Sequence, residues 1–267
     1  MENTLRLNKF LAEHLGISRR QADDLIAAGK ITVDGKVAVL GQRINVWQDY
    51  LKNSLELSRK VSDKESLLSF PNDADQQDYL KNSLDKTSKV CYNGSIISPF
   101  VSYIYLGMNK PVGYVCSRKR QGDSPTIFEL LPPQYQSLKT VGRLDKDSSG
   151  LILLTNDGDF AFQMTHPKFQ KTKLYEVQLD QPLAPLHQQE IADFGIKISD
   201  GVSQMGLEKL SDDRKNWRVT LREGRNRQIR RTFGALGYTV EKLHRTQFGP
   251  YQLNDLPEGK FIEVPKV

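Results

Sequence analysis

One carboxylate has an unusual position in the stretch VGRLDKDSSGLILLTNDGD, residues 141–159. Asp145 lies between Arg143 and Lys146 in a polar loop, directly before the apolar run 151–155, which predicts a strand buried on both faces. A carboxylate at such a strand entry is held in place, partly desolvated and still reachable from a cleft. An arginine partner would keep it ionised, because burial alone raises a carboxyl pKa. Asp145 is therefore a candidate catalytic group, although a turn aspartate satisfied by backbone amides has the same local sequence.

Other residue types with catalytic potential form no recognised pattern. The two cysteines are too few for a disulfide framework or a cysteine-based zinc site. The sequence contains no GxSxG motif and no GxGxxG or GxxxxGK[ST] phosphate loop. The four histidines are widely spaced, at His14, His166, His187 and His244. We therefore expect neither a metal site nor a cofactor.

The positive charge of the chain is concentrated in one segment. Between Arg214 and Arg245 there are ten Lys or Arg residues and two acids, a net charge of +8, whereas the whole chain of 267 residues carries only +6. A single basic segment favours a polyanion partner such as nucleic acid, because phosphates pair with Lys and Arg and release counterions. A solvated arginine-rich helix face has the same composition.

The N-terminal residues 5–39 predict two short helices followed by a hairpin. Helical spacing of apolar residues defines the first helix, and Ser18 to Gln21 has the form of a capping box for the second. Asp34-Gly35 predicts the hairpin turn. Arg19 and Arg20 would lie in the first turn of the second helix, where each cation opposes the helix dipole by about 0.3–1 kcal/mol. A phosphate at this helix end would reverse that effect, which points to RNA.

An internal repeat follows. QDYLKNSL occurs at residues 48–55 and again at 77–84. Two copies are too few for a solenoid, which needs about three. We interpret residues 49–89 as a duplicated insert and expect residues 90–94 to supply the last strand and turn of the N-terminal unit. The predicted domains are 1–102 and 103–267.

From residue 103 onward, alternating apolar segments predict strands interleaved with helices. The strands are expected at 103–108, 151–155, 174–179, 217–221 and 238–243, and the helices at 159–165, 185–194 and 226–236. This order predicts an α+β fold with a mainly antiparallel or mixed sheet and flanking helices.

Two family resemblances follow from these motifs. LRLNKFLAEHLGISRRQADDLIAAGKITVDGK resembles the S4 RNA-binding module. The ordered set NKPVG, GRLDKDSSGLILLTNDGD, KLY and EGRNRQIRR, over about residues 103–264, resembles the RNA pseudouridine synthases of the RsuA/RluB/RluE/RluF type, in which an N-terminal S4 module is usual. The S4 likeness implies an RNA surface near five cations: Arg6, Lys9, Arg19, Arg20 and Lys30.

The second resemblance implies a reaction without metal or organic cofactor. Uridine in RNA is detached at its N1–C1′ bond, turned and rejoined through C5. Asp145 matches the catalytic carboxylate, for which attack at C1′, attack at C6 and removal of the C2′ proton are all open. Tyr175 matches the tyrosine that stacks on the base, and Arg230 the cation that pairs with the aspartate. Leu243 matches an apolar residue of the pocket.

Three further arginines are candidates for substrate binding. Arg143 could hold a phosphate of the target or fill the space that a flipped uridine leaves, since the base must leave its stack to react. Arg227 and Arg231 would form an (i, i+4) pair on a helix face suited to phosphates. Ordinary strand and core packing would equally account for Tyr175 and Leu243.

The resulting prediction is a monomeric, cytoplasmic enzyme that acts on ribosomal RNA, as a single-stranded loop or an assembly intermediate, with no membrane partner. EGRNRQIRR resembles the large-subunit (23S) enzymes more than the small-subunit (16S) ones. A non-catalytic S4-type RNA-binding or ribosome-assembly protein is one alternative. A glycosidase or nucleoside hydrolase is another, and it would require a second acid, for which Asp147 and Asp157 are the neighbours.

Overall fold

The structure, a computed structural model, describes residues 4–46, 88–97 and 102–267. The chain divides into two compact units, Met1–Tyr103 and Ile104–Val267. Apart from residues 88 and 89, the predicted duplicated insert at 49–89 lies outside the described residues. Within the described ranges, no helix has the length and apolar character needed to cross a bilayer.

The first unit has the helix pair and hairpin that its sequence predicts. Ser18 caps the second helix through a complete capping box, in which Ser18 and Gln21 each bond the backbone N–H of the other. Asp34 and Gly35 take the left-handed conformations (φ 50° and 80°) of a two-residue hairpin turn. Its elements are β1 (Thr4–Arg6), α1 (Leu7–His14), α2 (Arg19–Ala27), β2 (Ile31–Val33), β3 (Lys36–Val37), β4 (Arg43–Asn45), β5 (Val90–Tyr92) and β6 (Ser95–Ile96).

Strand β5 completes this unit after the predicted insert. It pairs antiparallel with β2, so that Ile31 lies opposite Tyr92 and Val33 opposite Val90. Asn93 and Gly94 form the following turn, again with left-handed backbone. The prediction that residues 90–94 supply a strand and a turn is confirmed.

The second unit is built on one sheet, which among the described residues has nine strands and is mixed but mainly antiparallel. Its strands are β7 (Tyr105–Lys110), β8 (Lys139–Val141), β9 (Ser149–Thr155), β10 (Lys173–Leu179), β13 (Gly206–Lys209), β14 (Asn216–Leu221), β15 (Val240–Phe248), β16 (Tyr251–Gln252) and β17 (Phe261–Glu263). The main path runs β13-β14-β10-β15-β9-β7-β17, with β8 beside β9 and β16 beside β15. A separate hairpin joins β11 (Ile196–Ile198) and β12 (Gly201–Ser203).

Strand β9 is buried on both faces, as predicted. Leu151 and Leu153 pack in one hydrophobic cluster, with Phe160 and Phe248. The alternating residues Ile152 and Leu154 pack in the larger cluster on the other side. Because successive side chains of a strand point to opposite faces, this one strand links two cores. The loop before it therefore starts from a rigid base.

Most predicted elements of this unit begin or end one or two residues from their expected bounds, and strands β8, β11, β12, β13, β16 and β17 were not predicted. The helices of this unit are α3 (Gly158–Thr165), α4 (Pro185–Gln189) and α5 (Gln228–Ala235). Residues 185–194 form α4 followed by a wider π-turn, Glu190–Phe194, rather than one α-helix. Helix α5 begins two residues later than predicted, because Arg227 has left-handed backbone (φ 46°) that a helix cannot include. Strand β15 extends to Phe248 and so includes Arg245, which the prediction left outside.

Candidate active site

The loop that carries Asp145 is anchored on both sides of the carboxylate. Leu144 is buried in the larger core cluster. The N–H of Ser148 donates to the Asp145 carbonyl (3.1 Å), which closes a turn, and the N–H of Gly113 donates to the Lys146 carbonyl (2.8 Å). Gly113 belongs to the NKPVG motif and has φ +91°, a conformation that favours glycine. The loop is therefore held in one geometry although its sequence is polar.

Lys110, also from the NKPVG motif, is fully buried beside this loop. Its ammonium donates to the carbonyls of Ser148 (2.6 Å) and Pro111 (2.8 Å). Burial lowers the pKa of Lys110 from 10.5 to about 8, and the nearby Cys116 and Asp145 oppose that shift. Burial also raises the pKa of the Cys116 thiol. A buried ammonium thus joins the end of β7 to the end of the Asp145 loop.

Asp145 opens onto a cavity of about 290 Å³, called here the Asp145 cavity. Its walls come from the Asp145 loop, α3, β10, β14, the start of α5 and β15. They are formed by Gly142, Arg143, Leu144, Asp145, Ser148, Thr165, Lys173, Tyr175, Leu221, Gly224, Arg225, Asn226, Arg227, Gln228, Ile229, Leu243, Arg245 and Phe248. The cavity therefore brings together residues up to about a hundred positions apart in the sequence.

Tyr175 and Leu243 give the cavity apolar surface. Both are 8% exposed and lie on the adjacent antiparallel strands β10 and β15. In register, Tyr175 lies opposite Arg245 and Leu243 opposite Val177. The tyrosine ring and the leucine side chain together offer an apolar surface to a planar ligand. The tyrosine hydroxyl adds one polar group to that surface. The structure thus brings both predicted residues into the cavity with Asp145.

The cation nearest to Asp145 is Arg227, whose guanidinium lies 3.5 Å from the carboxylate. The same guanidinium holds Asp147 with two hydrogen bonds, of 3.0 and 2.9 Å. Arg227 thereby lowers the pKa of Asp147, and Asp147 raises the pKa of Arg227. The resemblance implied that Arg230 would pair with Asp145. The structure pairs Asp145 with Arg227, since the left-handed turn puts that arginine before the helix rather than on it.

Arg230 is instead the partner of Asp147. Its side chain is 12% exposed, and its Nε lies 3.2 Å from the Asp147 carboxylate. Its terminal nitrogens donate to the carbonyls of Val240 (2.6 Å) and Asp147 (2.7 Å). Burial lowers the pKa of Arg230, and Asp147 opposes that shift. Arg230 thus joins α5, β15 and the Asp145 loop without touching Asp145.

The predicted phosphate pair on α5 is already occupied by protein groups. Arg231 contacts Asp200 (2.8 Å) and Ser199 (2.8 Å), and Arg227 contacts the two aspartates of the loop. Because Arg227 precedes the helix, the two side chains do not form the expected helical pair. Arg143 differs from both. It is exposed, lines the cavity and, within the described part of the chain, makes no hydrogen bond or ion pair with the protein.

Two buried cations of the cavity wall were not assigned a role by the sequence. Lys173 donates to the Glu223 carbonyl (3.0 Å), and burial lowers its pKa. Arg245 is 2% exposed and donates to the Leu151 carbonyl (2.7 Å), while one terminal nitrogen has no hydrogen-bond partner among the described residues. Lys173 belongs to the motif KLY together with Tyr175, and this proximity to Tyr175 was a signal that could have placed Lys173 at the site. Arg245 lies beyond the predicted end of its strand.

Neither alternative acid is placed as a second catalytic carboxylate. Asp147 is held between Arg227 and Arg230. Asp157 is 3% exposed and caps α3, accepting bonds from the backbone of Phe160 (2.9 Å) and from Lys266 (2.7 Å). Burial works to raise the pKa of Asp157, but these donors bring it below its usual value. Within the described ranges, no group of three or more His, Cys, Asp or Glu is arranged to hold a metal ion.

The predicted RNA-contacting cations of the first unit lie on its surface. Arg6, Arg19, Arg20 and Lys30 are exposed, and Lys9 is half-buried, 3.9 Å from Glu13. Arg19 and Arg20 are the first two residues of α2, whose first turn contains no acid. The N-terminal end of α2 is therefore positively charged and open to anions.

A carboxylate at the mouth of a cavity, a tyrosine in its wall and arginines around it form a site for a planar base carried on a polyanion. This is the class of site that an RNA-modifying enzyme needs. The RNA pseudouridylate synthase family model matches residues 104–235, and the S4 domain model matches residues 5–46. The chain belongs to the pseudouridine synthase family and carries an N-terminal S4 domain, which confirms the family and the fold class expected from the sequence.

Similar pseudouridine synthases align with nearly the whole chain. The ribosomal small subunit pseudouridine synthase A of Pasteurella multocida (strain Pm70) is 34% identical, over 96% of this chain and 94% of that protein. The ribosomal large subunit pseudouridine synthase B of Salmonella typhi is 30% identical, over 97% and 79%. A crystal structure of a pseudouridylate synthase superposes with a TM-score of 0.59 at 28% identity, covering 97% of this chain and 96% of that one.

Proposed function

We propose that this pseudouridine synthase isomerises a uridine of ribosomal RNA, with Asp145 as the catalytic carboxylate. The observation that carries the proposal is the shared cavity: Asp145, half-buried, lines it together with the buried Tyr175 and Leu243, and Arg227 is 3.5 Å from the carboxylate. The ribosomal substrate is supported by the relatives, which are named for small- or large-subunit RNA. Such a substrate would place the enzyme in the cytoplasm.

The chemistry requires a fixed anion beside the reacting sugar and base. When uracil leaves C1′, positive charge develops on the ribose, and a carboxylate can stabilise or capture that charge. The detached base must remain in the cavity until C5 reaches C1′, so water must be kept out. Tyr175 and Leu243 serve this purpose, since a ring and an aliphatic chain hold a flat base without bonding it in one orientation. Arg143 binds the phosphate of the flipped nucleotide.

The two units have different roles in this proposal. The S4 unit, residues 1–102, binds the RNA through Arg6, Lys9, Arg19, Arg20 and Lys30, and residues 103–267 perform the reaction. We expect the enzyme to act as a monomer. The motif EGRNRQIRR favours a large-subunit target, whereas the relative with 34% identity is a small-subunit enzyme. Both RNAs are therefore assayed.

The test replaces Asp145 by asparagine, which keeps the size of the side chain and removes its charge. Wild-type protein and Asp145→Asn are incubated with 16S and 23S transcripts, and pseudouridines are mapped by carbodiimide-dependent reverse-transcription stops. We expect a discrete stop with wild-type protein and at least a thousandfold slower appearance with the variant, on the order of the loss of a catalytic group.

Asp123→Asn is the matched control, because Asp123 is an exposed aspartate that does not line the cavity. It should leave the rate unchanged. Equal rates for wild-type protein and Asp145→Asn would disprove the assignment of Asp145. The absence of any stop in either RNA with wild-type protein would disprove the ribosomal substrate.

A further inference from the structure

Three aromatic rings lie exposed at the end of α3. Phe162 is 47% exposed and Phe169 is 38% exposed. Their ring centroids are 5.9 Å apart at 89°, and the ring of His166 lies 4.6 Å from Phe162 and 6.4 Å from Phe169. Clustered exposed rings leave apolar faces in water and offer stacking surfaces to planar bases.

One lysine contacts these rings, and two further cations line a cleft beside them. Lys168 places its ammonium 5.3 Å from the Phe162 centroid and 4.7 Å from the Phe169 centroid. Lys171 and Arg222 line a cleft of about 150 Å³ beside them, called here the side cleft. Within the described part of the chain, none of these three cations has an ion pair or a hydrogen bond to a carboxylate. They are thus available to phosphates, unlike Arg227 and Arg231.

The acid that lines the side cleft is already engaged. Glu223 accepts from Arg225 at 2.8 Å and also from Gln228. Its negative charge is therefore partly balanced by the Arg225 guanidinium. The charges left for a ligand are those of the lysines and Arg222, which are complementary to an RNA backbone.

The side cleft is adjacent to the Asp145 cavity. Thr165, Lys173, Gly224 and Arg225 line both. A strand of RNA whose uridine enters the cavity must continue outward on one side or the other. The side cleft and the exposed rings provide a route on which phosphates meet cations and bases meet aromatic faces.

We propose that six residues form a subsite for the nucleotides adjacent to the target uridine, bound as a single strand. They are Phe162, His166, Lys168, Phe169, Lys171 and Arg222, called here the aromatic–basic strip. The inference rests on the proposed function, since it extends the path of the RNA that the Asp145 cavity would hold. Single-stranded RNA is the occupant because only unpaired bases have free faces to stack.

The test measures binding of the full-length protein to a fluorescein-labelled oligouridylate of about ten nucleotides. Phe162→Ala and Phe169→Ala should each weaken binding about tenfold, as expected for the loss of one stacked base. Phe162→Tyr should keep wild-type affinity, because it keeps an aromatic face. Lys168→Ala, Lys171→Ala and Arg222→Ala should each lower the slope of log K against log salt by about 0.7.

Two controls match the chemistry of the substitutions. Leu186→Ala removes an exposed apolar side chain, and Lys260→Ala removes an exposed cation, and neither residue lines the cavity or the side cleft. Both should bind as wild type does. Wild-type affinity and salt slope in the strip variants would overturn the proposal. So would a defect that occurs with ribosomal subunits but not with the free oligonucleotide, which would assign the strip to a protein partner.

Measuring activity on rRNA distinguishes a failure of the subsite proposal from a failure of the proposed function. If wild-type protein forms pseudouridine, the phenylalanine variants should raise KM about tenfold and leave kcat unchanged. A lower kcat with unchanged KM would contradict a binding subsite. If wild-type protein forms no pseudouridine, the proposed function fails, and the oligouridylate titration still decides whether the strip binds single strands.

Discussion

The Asp145 side chain is positioned by groups from three separate parts of the chain. Leu144 anchors the loop in the core, Lys110 holds the carbonyl of Ser148 at its end, and Arg227 provides the nearest positive charge. Preorganised charges of this kind need no rearrangement when the reaction begins. At the scale of single residues, Asp145 is therefore positioned by two buried groups, Leu144 and Lys110, and by the exposed Arg227.

The titration of Lys110 gives a prediction on stability. The folded protein releases this proton near pH 8, whereas the unfolded chain holds it to about pH 10.5. Between these values the unfolded state binds more protons, so the contribution of Lys110 to the free energy of unfolding rises with pH. In urea unfolding, the free-energy difference between wild type and Lys110→Met should therefore grow in favour of wild type from about pH 8 to pH 10. Lys260→Met, which changes an exposed lysine, should give a difference independent of pH, and a flat difference for Lys110→Met would refute the argument.

At the scale of elements, the parallel contact between β9 and β15 sets the geometry of the cavity. Gly150 lies opposite Arg245 and His244 opposite Ser149, and the Ser149 hydroxyl lies 2.8 Å from Nδ1 of His244. This contact joins the end of the Asp145 loop to the strand that carries Leu243 and Arg245. Gly150 has φ +103°, and a Cβ atom there would lie 2.3 Å from the Arg245 carbonyl oxygen. The two strands approach so closely only because residue 150 has no side chain.

Gly150→Ala should therefore lower the free energy of unfolding by about 2–5 kcal/mol, from the strained backbone and the clash together. Urea denaturation at constant pH measures this change. Gly158→Ala is the control, because Gly158 starts α3, has ordinary φ and leaves open space for a Cβ atom. The control should unfold within about 0.5 kcal/mol of wild type. Equal stability of the two variants would show that β15 can move away from β9 at little cost.

The long strands and the helices were largely predictable from the sequence, whereas the short strands β8, β11, β12, β13, β16 and β17 and several element ends were not. The buried strand β9, the capping box at Ser18 and the turn at Asp34-Gly35 follow from local patterns of apolar residues and caps. The start of α5 and the end of β15 depend on contacts between distant residues. Arg227 takes a left-handed conformation in which its guanidinium bonds Asp147, eighty positions away. A local pattern carries no information about such a contact.

At the scale of the whole molecule, the cations proposed to bind RNA lie on both units. On the S4 unit, Arg19 and Arg20 stand at the N-terminal end of α2, where they oppose the helix dipole in the free protein. Bound phosphate would be attracted by both the cations and the helix end. Arg19 and Arg20 are thus expected to lower the stability of the free protein slightly and to raise its affinity for RNA.

Arg19→Ala and Arg20→Ala should accordingly weaken binding to rRNA and leave the stability of the free protein unchanged or slightly higher. Each substitution should reduce the slope of log K against log salt by about 0.7–0.9. Binding to 16S and 23S transcripts at several salt concentrations and thermal unfolding of the free protein measure the two effects. Unchanged binding together with lower stability would assign these arginines to folding rather than to RNA.

The sequence by itself determined the longer strands and helices, the two family resemblances and the loop that carries Asp145. These features depend on residues close together in the chain, where periodicity, caps and motifs are sufficient. The tertiary structure alone decided that Asp145 is paired with Arg227, that Arg230 serves Asp147, and that Lys110 and Arg245 are buried beside the cavity. Among the described residues, Lys168 beside the exposed rings and Arg222 in the side cleft have no carboxylate partner. A side chain's partner and its burial depend on which distant strands meet, and only the folded chain specifies that.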